Sequence, residues 1–305
     1  MRSRLATAVA VMLLVSWGGL AAASDLNLFA APAPGEQPAA QPFDLGSCCD
    51  PCSSDACCRP RLLVEAEATL FRYYRANGVR VGDDAPGDDV RFGWEGAPRF
   101  TLGYVTASGL GFRTRYWDFN QTAAAKEGLP SRLTVDTYTL DLELFESFAL
   151  NNRWSVEFSA GVRYNDFQEK FFDVVGDTEL RHNTFFGWGG ILGVEVKRQL
   201  FCNGALFGRC RGALLMDDSL RSNIGSGNER LLDTTRGVVE LAMGYEYRRC
   251  LSNGAEVYGR IGAEWQHWVN YSSNFTEGTT DPERFWTGSS DVGFMGMVVS
   301  LGLSY

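Results

Sequence analysis

The sequence predicts an all-β fold, a transmembrane antiparallel up-and-down β-barrel of about ten strands. Three observations carry this prediction. The segment 295–305 reads M-G-M-V-V-S-L-G-L-S-Y. It puts Met295, Met297, Val299, Leu301, Leu303 and Tyr305 on one strand face and Gly296, Val298, Ser300, Gly302 and Ser304 on the other. Large apolar residues alternating with small or polar ones mark a strand that separates two solvents, and an aromatic at its end suits an interfacial girdle. Segments of this kind recur along the chain. The connections between them alternate between short and long, as in barrels with tight turns at one rim and long loops at the other. A soluble sandwich also has amphipathic strands, but has no reason to sort its loops by length.

Residues 1–23 read as a signal peptide. Arg2 and Arg4 precede an apolar run broken by Ser16, Gly18 and Gly19, and Ala21, Ala22 and Ala23 supply a small-residue cleavage site. The run is too short for a retained anchor, and no later segment approaches the roughly 20 apolar residues of a spanning helix. A membrane-spanning mature chain must therefore be a closed barrel, because lipid cannot satisfy the backbone of an open sheet.

Residues 24–60 are expected to form a separate periplasmic leader. Its Ala/Pro/Gln-rich first half reads as a disordered linker. It leads into S-C-C-D-P-C-S-S-D-A-C-C, which holds Cys48, Cys49, Cys52, Cys57 and Cys58. The segment lacks His and its spacing fits no standard zinc site. An oxidising compartment favours disulfides instead, and an odd number of thiols leaves at least one to pair elsewhere or stay reduced. A partner in the envelope held through this leader is one expectation. No metal and no cofactor are expected.

Residues 61–305 read as the barrel. The expected strands are 62–73, 99–106, 110–119, 132–148, 154–167, 184–196, 205–216, 238–248, 256–268 and 293–305. Short turns fall at 107–109, 151–152, 202–204 and 252–254, and the last two carry Asn-Gly, a hairpin signal. Long connections fall at 75–98, 120–131, 168–183, 217–237 and 269–292. An even strand count puts both chain ends at the short-turn rim. Cys202 and Cys250 stand on that rim beside neighbouring strands. Either they form a disulfide, which needs Cα atoms within about 7 Å, or they remain two thiols.

The two faces of each strand separate by chemistry. Trp154, Val156, Phe158, Ala160 and Val162 alternate with Ser155, Glu157, Ser159, Gly161 and Arg163, and the other strands behave alike. A basic residue facing lipid at midplane costs about 2–4 kcal/mol, so the charged faces are expected inside. The lumen is then lined by Glu65, Glu67, Arg113, Arg115, Asp141, Glu143, Glu157, Arg163, Arg209, Arg211, Glu240, Arg260 and Glu264, with both signs on neighbouring strands. The formal net charge of −9 argues against nucleic acid as a partner. The expected surroundings are outer-membrane lipid outside, and small solutes or ions within.

Several segments resemble the Legionella-type major outer membrane proteins, a family of pore-forming barrels. The resemblance spans most of residues 61–305. It is carried by W-S-V-E-F-S-A-G-V-R-Y from Trp154, G-G-I-L-G-V-E-V-K-R-Q-L from Gly189 and L-F-G-R-C-R-G-A-L-L from Leu206. It continues in L-A-M-G-Y-E-Y-R-R-C from Leu241 and G-A-E-V-Y-G-R-I-G-A-E-W-Q-H-W from Gly254. It implies an outer-membrane location and a pore role, and no catalytic residue. The Cys-rich leader is not part of it.

Two further motifs are read as structural. Gly187, Gly189, Gly190 and Gly193 open no helix, so close backbone packing in a narrow barrel is expected rather than phosphate binding. His182 and His267 fall near the long-loop rim, where a protease-like rim enzyme could be built, but no spacing singles out a dyad with Asp. Three function classes follow: a narrow porin-like pore, which the family resemblance favours; a structural or adhesive barrel with a side-chain-filled lumen; and a rim enzyme. About ten strands lies near the filled end of the barrel series, since about eight strands fill with side chains and 16–18 leave a channel.

Overall fold

The structure is a computed structural model that describes residues 60–75, 92–124, 131–173, 178–217, 220–224, 227–231, 234–273 and 289–305. The signal peptide and the leader lie outside the described residues. The described residues form twelve strands: β1 (Arg61–Arg75), β2 (Glu95–Val105), β3 (Leu110–Ala124), β4 (Ser131–Ala149), β5 (Trp154–Asp173), β6 (Thr178–Phe201), β7 (Gly204–Asp217), β8 (Leu220–Ile224), β9 (Gly227–Leu231), β10 (Thr234–Cys250), β11 (Glu256–Ser273) and β12 (Ser289–Ser304). The described residues contain no helix.

Ten of these strands close into an antiparallel barrel. Each pairs with its sequence neighbour, except that β7 pairs with β10 and that β1 pairs with β12. The seam between first and last strands runs from Leu63 opposite Ser304 to Arg75 opposite Val292. It ends in a reciprocal pair of backbone bonds, Leu62 N–H to the Tyr305 carbonyl at 2.6 Å and Tyr305 N–H to the Leu62 carbonyl at 2.9 Å. The C-terminal aromatic is therefore a ladder residue as well as an interfacial one.

The outer face carries the apolar half of every alternation. Leu144, Phe158, Leu192, Leu214, Met243, Ile261 and Leu301 are exposed on it. Aromatic residues mark its edges. Tyr116, Tyr138 and Tyr164 form an outward row on β3, β4 and β5, with ring centroids 6.2 and 5.8 Å apart. Phe148, Trp154, Phe201 and Tyr305 stand exposed at the short-turn rim. An apolar band flanked by aromatic girdles is what the two membrane interfaces select.

The ten barrel strands match the expectation, and several of them run longer than expected. β5 runs 20 residues and β6 runs 24, so the connection expected at 168–183 is mostly ladder. The connection expected at 217–237 also holds a hairpin, β8 and β9. Its first strand pairs with the extension of β6 from Arg181 opposite Ile224 to Thr184 opposite Arg221. β7 leaves β6 at Trp188 opposite Met216, so the protruding end of β6 would present an open edge. The hairpin pairs that edge, which answers the cost of unpaired backbone donors and acceptors.

Two turn glycines have the backbone their position requires. Gly109 (φ 92°) and Gly254 (φ 84°) occupy the left-handed region, which glycine enters without a Cβ penalty. The glycine-rich stretch of β6 divides by face. At Gly189 a Cβ would overlap the Leu214 carbonyl oxygen and at Gly187 it would strike the Phe185 ring, whereas Gly190 has open space.

The seam makes a direct prediction. Removing Leu301–Tyr305 deletes the last rungs with both β1 and β11, leaving barrel edges unpaired in lipid at several kcal/mol per group. The truncated chain should be lost from the outer-membrane fraction, and the folded, heat-modifiable band should disappear on semi-native electrophoresis. A truncated chain that retains that band would refute the closing role of the seam.

Candidate functional site: the barrel interior

Closure forces the charged faces inward, and ten strands leave an interior narrow enough for side chains to meet across it. The charged residues expected inside, from Glu65 to Glu264, all turn toward this interior. Glu65, Glu67, Arg113, Arg115, Glu157, Arg209 and Arg260 line a cavity of about 160 Å³ at the short-turn rim. Asp141, Glu143, Arg163, Arg211, Glu240 and Glu264 are buried above it.

These buried groups form a layer of two bonded clusters with Arg115 between them. Arg163 on β5 donates two parallel bonds to Asp141 on β4, at 2.6 and 2.8 Å, and reaches Glu240 on β10 at 2.6 Å. Arg211 on β7 donates to Glu240 at 2.8 Å and to Asp141 at 2.5 Å, and also bonds Glu143 on β4. Glu143 accepts from Arg113 on β3 at 2.9 and 3.1 Å, and Arg113 continues to Glu157 at 2.6 Å. On the other side Arg99 of β2 forks onto Glu264 of β11 at 2.8 and 2.9 Å and bonds Glu67 of β1. Arg209 joins Glu264 at 3.1 Å.

Many of these pairs join strands that are not neighbours. Arg211 and Asp141 are three strands apart around the wall, as are Arg99 and Glu264. Such contacts exist only where side chains cross the lumen. Arg163 and Arg211 are each 2% exposed and Asp141 is 1% exposed, so this layer fills the middle of the barrel.

A second layer, of aromatic rings, lies in the long-loop half. Phe294 of β12 packs edge-on against Trp117 and Phe119 of β3 at 5.3 and 5.0 Å, and against Trp268 of β11 at 5.2 Å. Tyr271 contacts Trp268, Phe185 and Phe167 at 4.7, 5.1 and 5.4 Å. Rings from β3, β5, β6, β11 and β12 thus meet in the centre. Edge-to-face geometry adds about 0.5–1.5 kcal/mol per pair beyond area burial. Arg236 caps the layer with its guanidinium 4.8 Å from the Phe185 centroid and 5.4 Å from Tyr271.

Below the ionic layer lies the vestibule at the short-turn rim. Lys197 bridges Glu195 and Glu246 at 3.2 Å each, and Arg260 bonds Glu246 at 2.6 Å. Glu65 accepts from Ser300 at 2.6 Å and from Tyr258 at 3.2 Å. Arg99, Glu195, Lys197, Glu246 and Arg248 belong to the site and were absent from the sequence-derived lining. The signal for them was parity: Glu195 shares a face with Gly189 and Gly193, and Glu246 shares one with Glu240.

The histidines do not converge. His182 on β6 pairs with Glu179 at 3.0 Å, and His267 on β11 pairs with Asp291 at 3.1 Å and stacks on Trp265. The alternation puts both on the outer face, three strands apart. Among the described residues no cluster of His, Cys, Asp or Glu could hold a metal ion.

The Cys202–Cys250 bridge is not formed, and Cys202 stands exposed in the β6–β7 turn. The reason is register. Tyr247 stands opposite Gly204 and Arg248 N–H bonds the Asn203 carbonyl, which sets Cys202 against Arg249. Cys250 falls one residue out of step, and such neighbours point to opposite faces. Cys48, Cys49, Cys52, Cys57 and Cys58 lie outside the described residues.

An apolar belt, aromatic girdles, a seam between first and last strands and a polar interior together define an integral outer-membrane β-barrel. The chain belongs to the family of the Legionella pneumophila major outer membrane protein precursor, whose sequence profile matches residues 71–305. No curated protein matches it at the sequence level. Solved structures similar to it include the translocator domain of the autotransporter NalP from Neisseria meningitidis, at 12% identity and a TM-score of 0.45 over 81% of this chain and 88% of that one. The outer membrane protease OmpT from Escherichia coli aligns at 10% identity and a TM-score of 0.44, over 81% and 96%. A major outer membrane protein from Thermus thermophilus aligns at 16% identity and a TM-score of 0.39, over 81% and 99%.

The ionic layer predicts the outcome of single charge removals. Glu143→Gln leaves Arg211 and Arg113 short of a counter-charge in a dry interior, where breaking a buried pair costs about 3–5 kcal/mol. Its thermal unfolding in detergent should fall well below that of the wild type, while Glu146→Gln, on the opposite face of β4, should not. Equal melting temperatures for Glu143→Gln and wild type would mean that the layer is hydrated and weak.

Proposed function

We propose that this outer-membrane barrel is closed through its middle by its own side chains and acts as a structural element of the envelope. The observation that carries this reading is the contact between Arg211 and Asp141 across the lumen. The aromatic layer around Phe294 supports it independently. The reading includes no enzymatic activity, in keeping with two histidines that lie apart on the outer face. A narrow porin-like pore is the second reading. It draws on the cavity at the short-turn rim, which admits solute part of the way.

Single-channel recording of the full mature protein in planar bilayers separates the two. A closed barrel gives no steady conductance with the wild type. A stable open level in the wild type, at an ionic strength near physiological, would overturn the proposal in favour of the pore.

We also infer that residues 1–23 direct export and that the leader is tied to the rim through Cys250. Leu63, Ser304, Glu256 and Cys250 lie on one ladder row across β1, β12, β11 and β10. At about 4.8 Å per strand step, Cys250 is ~14 Å from Leu63. Cys58 precedes Leu63 by five residues, and five extended residues reach ~17 Å. Non-reducing peptide mapping of the mature protein should recover Cys250 joined to a leader peptide. Recovery of Cys250 fully alkylated without reduction would sink the tether.

A further inference from the structure

We propose that the vestibule at the short-turn rim binds a small oxyanion on the guanidinium of Arg115. The site needs only the vestibule and does not depend on whether the lumen above it conducts.

Arg115 lies in the wall of the cavity and is 7% exposed. Its nearest carboxylate oxygens stand at 3.8 Å on Glu67, 3.9 Å on Glu240 and 4.0 Å on Glu264, beyond hydrogen-bonding distance. Its Nη2 is buried without a hydrogen-bond partner. The three carboxylates cannot simply close the gap, because each is held by other cations. Glu67 is bonded by Arg99. Glu264 accepts from Arg99 at 2.8 and 2.9 Å and from Arg209 at 3.1 Å. Glu240 accepts from Arg211 at 2.8 Å and pairs with Arg163 at 2.6 Å.

Arg115 is therefore a charge fixed in position with donor capacity unspent. Leaving a buried donor unmade carries the desolvation cost of that group. Arg113 and Arg209, which are partly open, line the same cavity. A planar guanidinium fork matches the paired oxygens of a phosphate or carboxylate. The cavity, about 160 Å³, has room for one small oxyanion with water. Its opening at the short-turn rim, lined by Arg61, Arg248 and Glu256, sets the route of entry from the periplasm.

The test uses the full mature chain in detergent, titrated with inorganic phosphate at constant ionic strength and followed by calorimetry and by thermal unfolding. The expected result is saturable binding and a rise in melting temperature that an equal ionic strength of chloride does not give. Arg115→Gln should weaken phosphate binding by about tenfold or more, the loss of a charge-assisted bond. Arg115→Lys, which keeps the charge and loses the fork, should also bind more weakly. Arg153→Gln, in the exposed β4–β5 turn, should bind as wild type does. Absence of saturable phosphate binding to the wild type overturns the proposal whatever the variants do, and so does an Arg115→Gln protein that folds and binds phosphate as tightly as wild type.

Discussion

Every feature of this molecule depends on one requirement: a backbone in lipid must pair all of its own donors and acceptors. Ten strands meet it only if the first finds the last, and β1 does so along its whole length. Once that seam is made, the period-two alternation has a single consistent solution. One residue of slip anywhere would turn Arg211 or Glu143 into lipid and Leu214 or Leu144 into the interior. Closure and register are therefore set by the same residues.

Closure at this strand number also dictates the interior. The wall is too narrow for opposite side chains to ignore one another, so the inward charges must be compatible across the lumen as well as along each ladder. Arg163 illustrates this. Its bidentate bond to Asp141 is a neighbour-strand contact, while its reach to Glu240 crosses the space. The ionic layer occupies the middle and the rings around Phe294 the long-loop half. Below them Lys197, Arg248 and Glu256 stand at the short-turn rim.

Most of the wall was legible from sequence, because alternation in the strands is a local signal. The inward sets on β3, β4 and β11 follow from reading every second residue. The length of β5 and β6 was not legible, since above the membrane both faces are polar and the alternation that marks a strand fades into loop-like composition. The β8–β9 hairpin has no periodic apolar face, and exists because β6 offers it an edge. Within the site, the charge of each lining residue could be read but not its partner. That Arg211 meets Asp141 rather than only Glu240 depends on lumen width and shear, which no strand carries by itself. The open question of the Cys202–Cys250 pair has the same origin. Proximity of two turns was legible, and the one-residue offset between them was not.

The bonds that cross the lumen also bear on how the barrel is put together. β4 brings Asp141 and Glu143, which pair with Arg163 of β5 and Arg113 of β3, while Arg211 arrives only with β7. Until then the two carboxylates lack the guanidinium that reaches them across the lumen. The cross-lumen part of the gain thus comes late, as the far wall meets the near one. A partly assembled sheet has little to hold it in the bilayer, and a completed one cannot release a single strand without stranding charges on several others. The bonds across the lumen thus favour the completed barrel over a partial sheet.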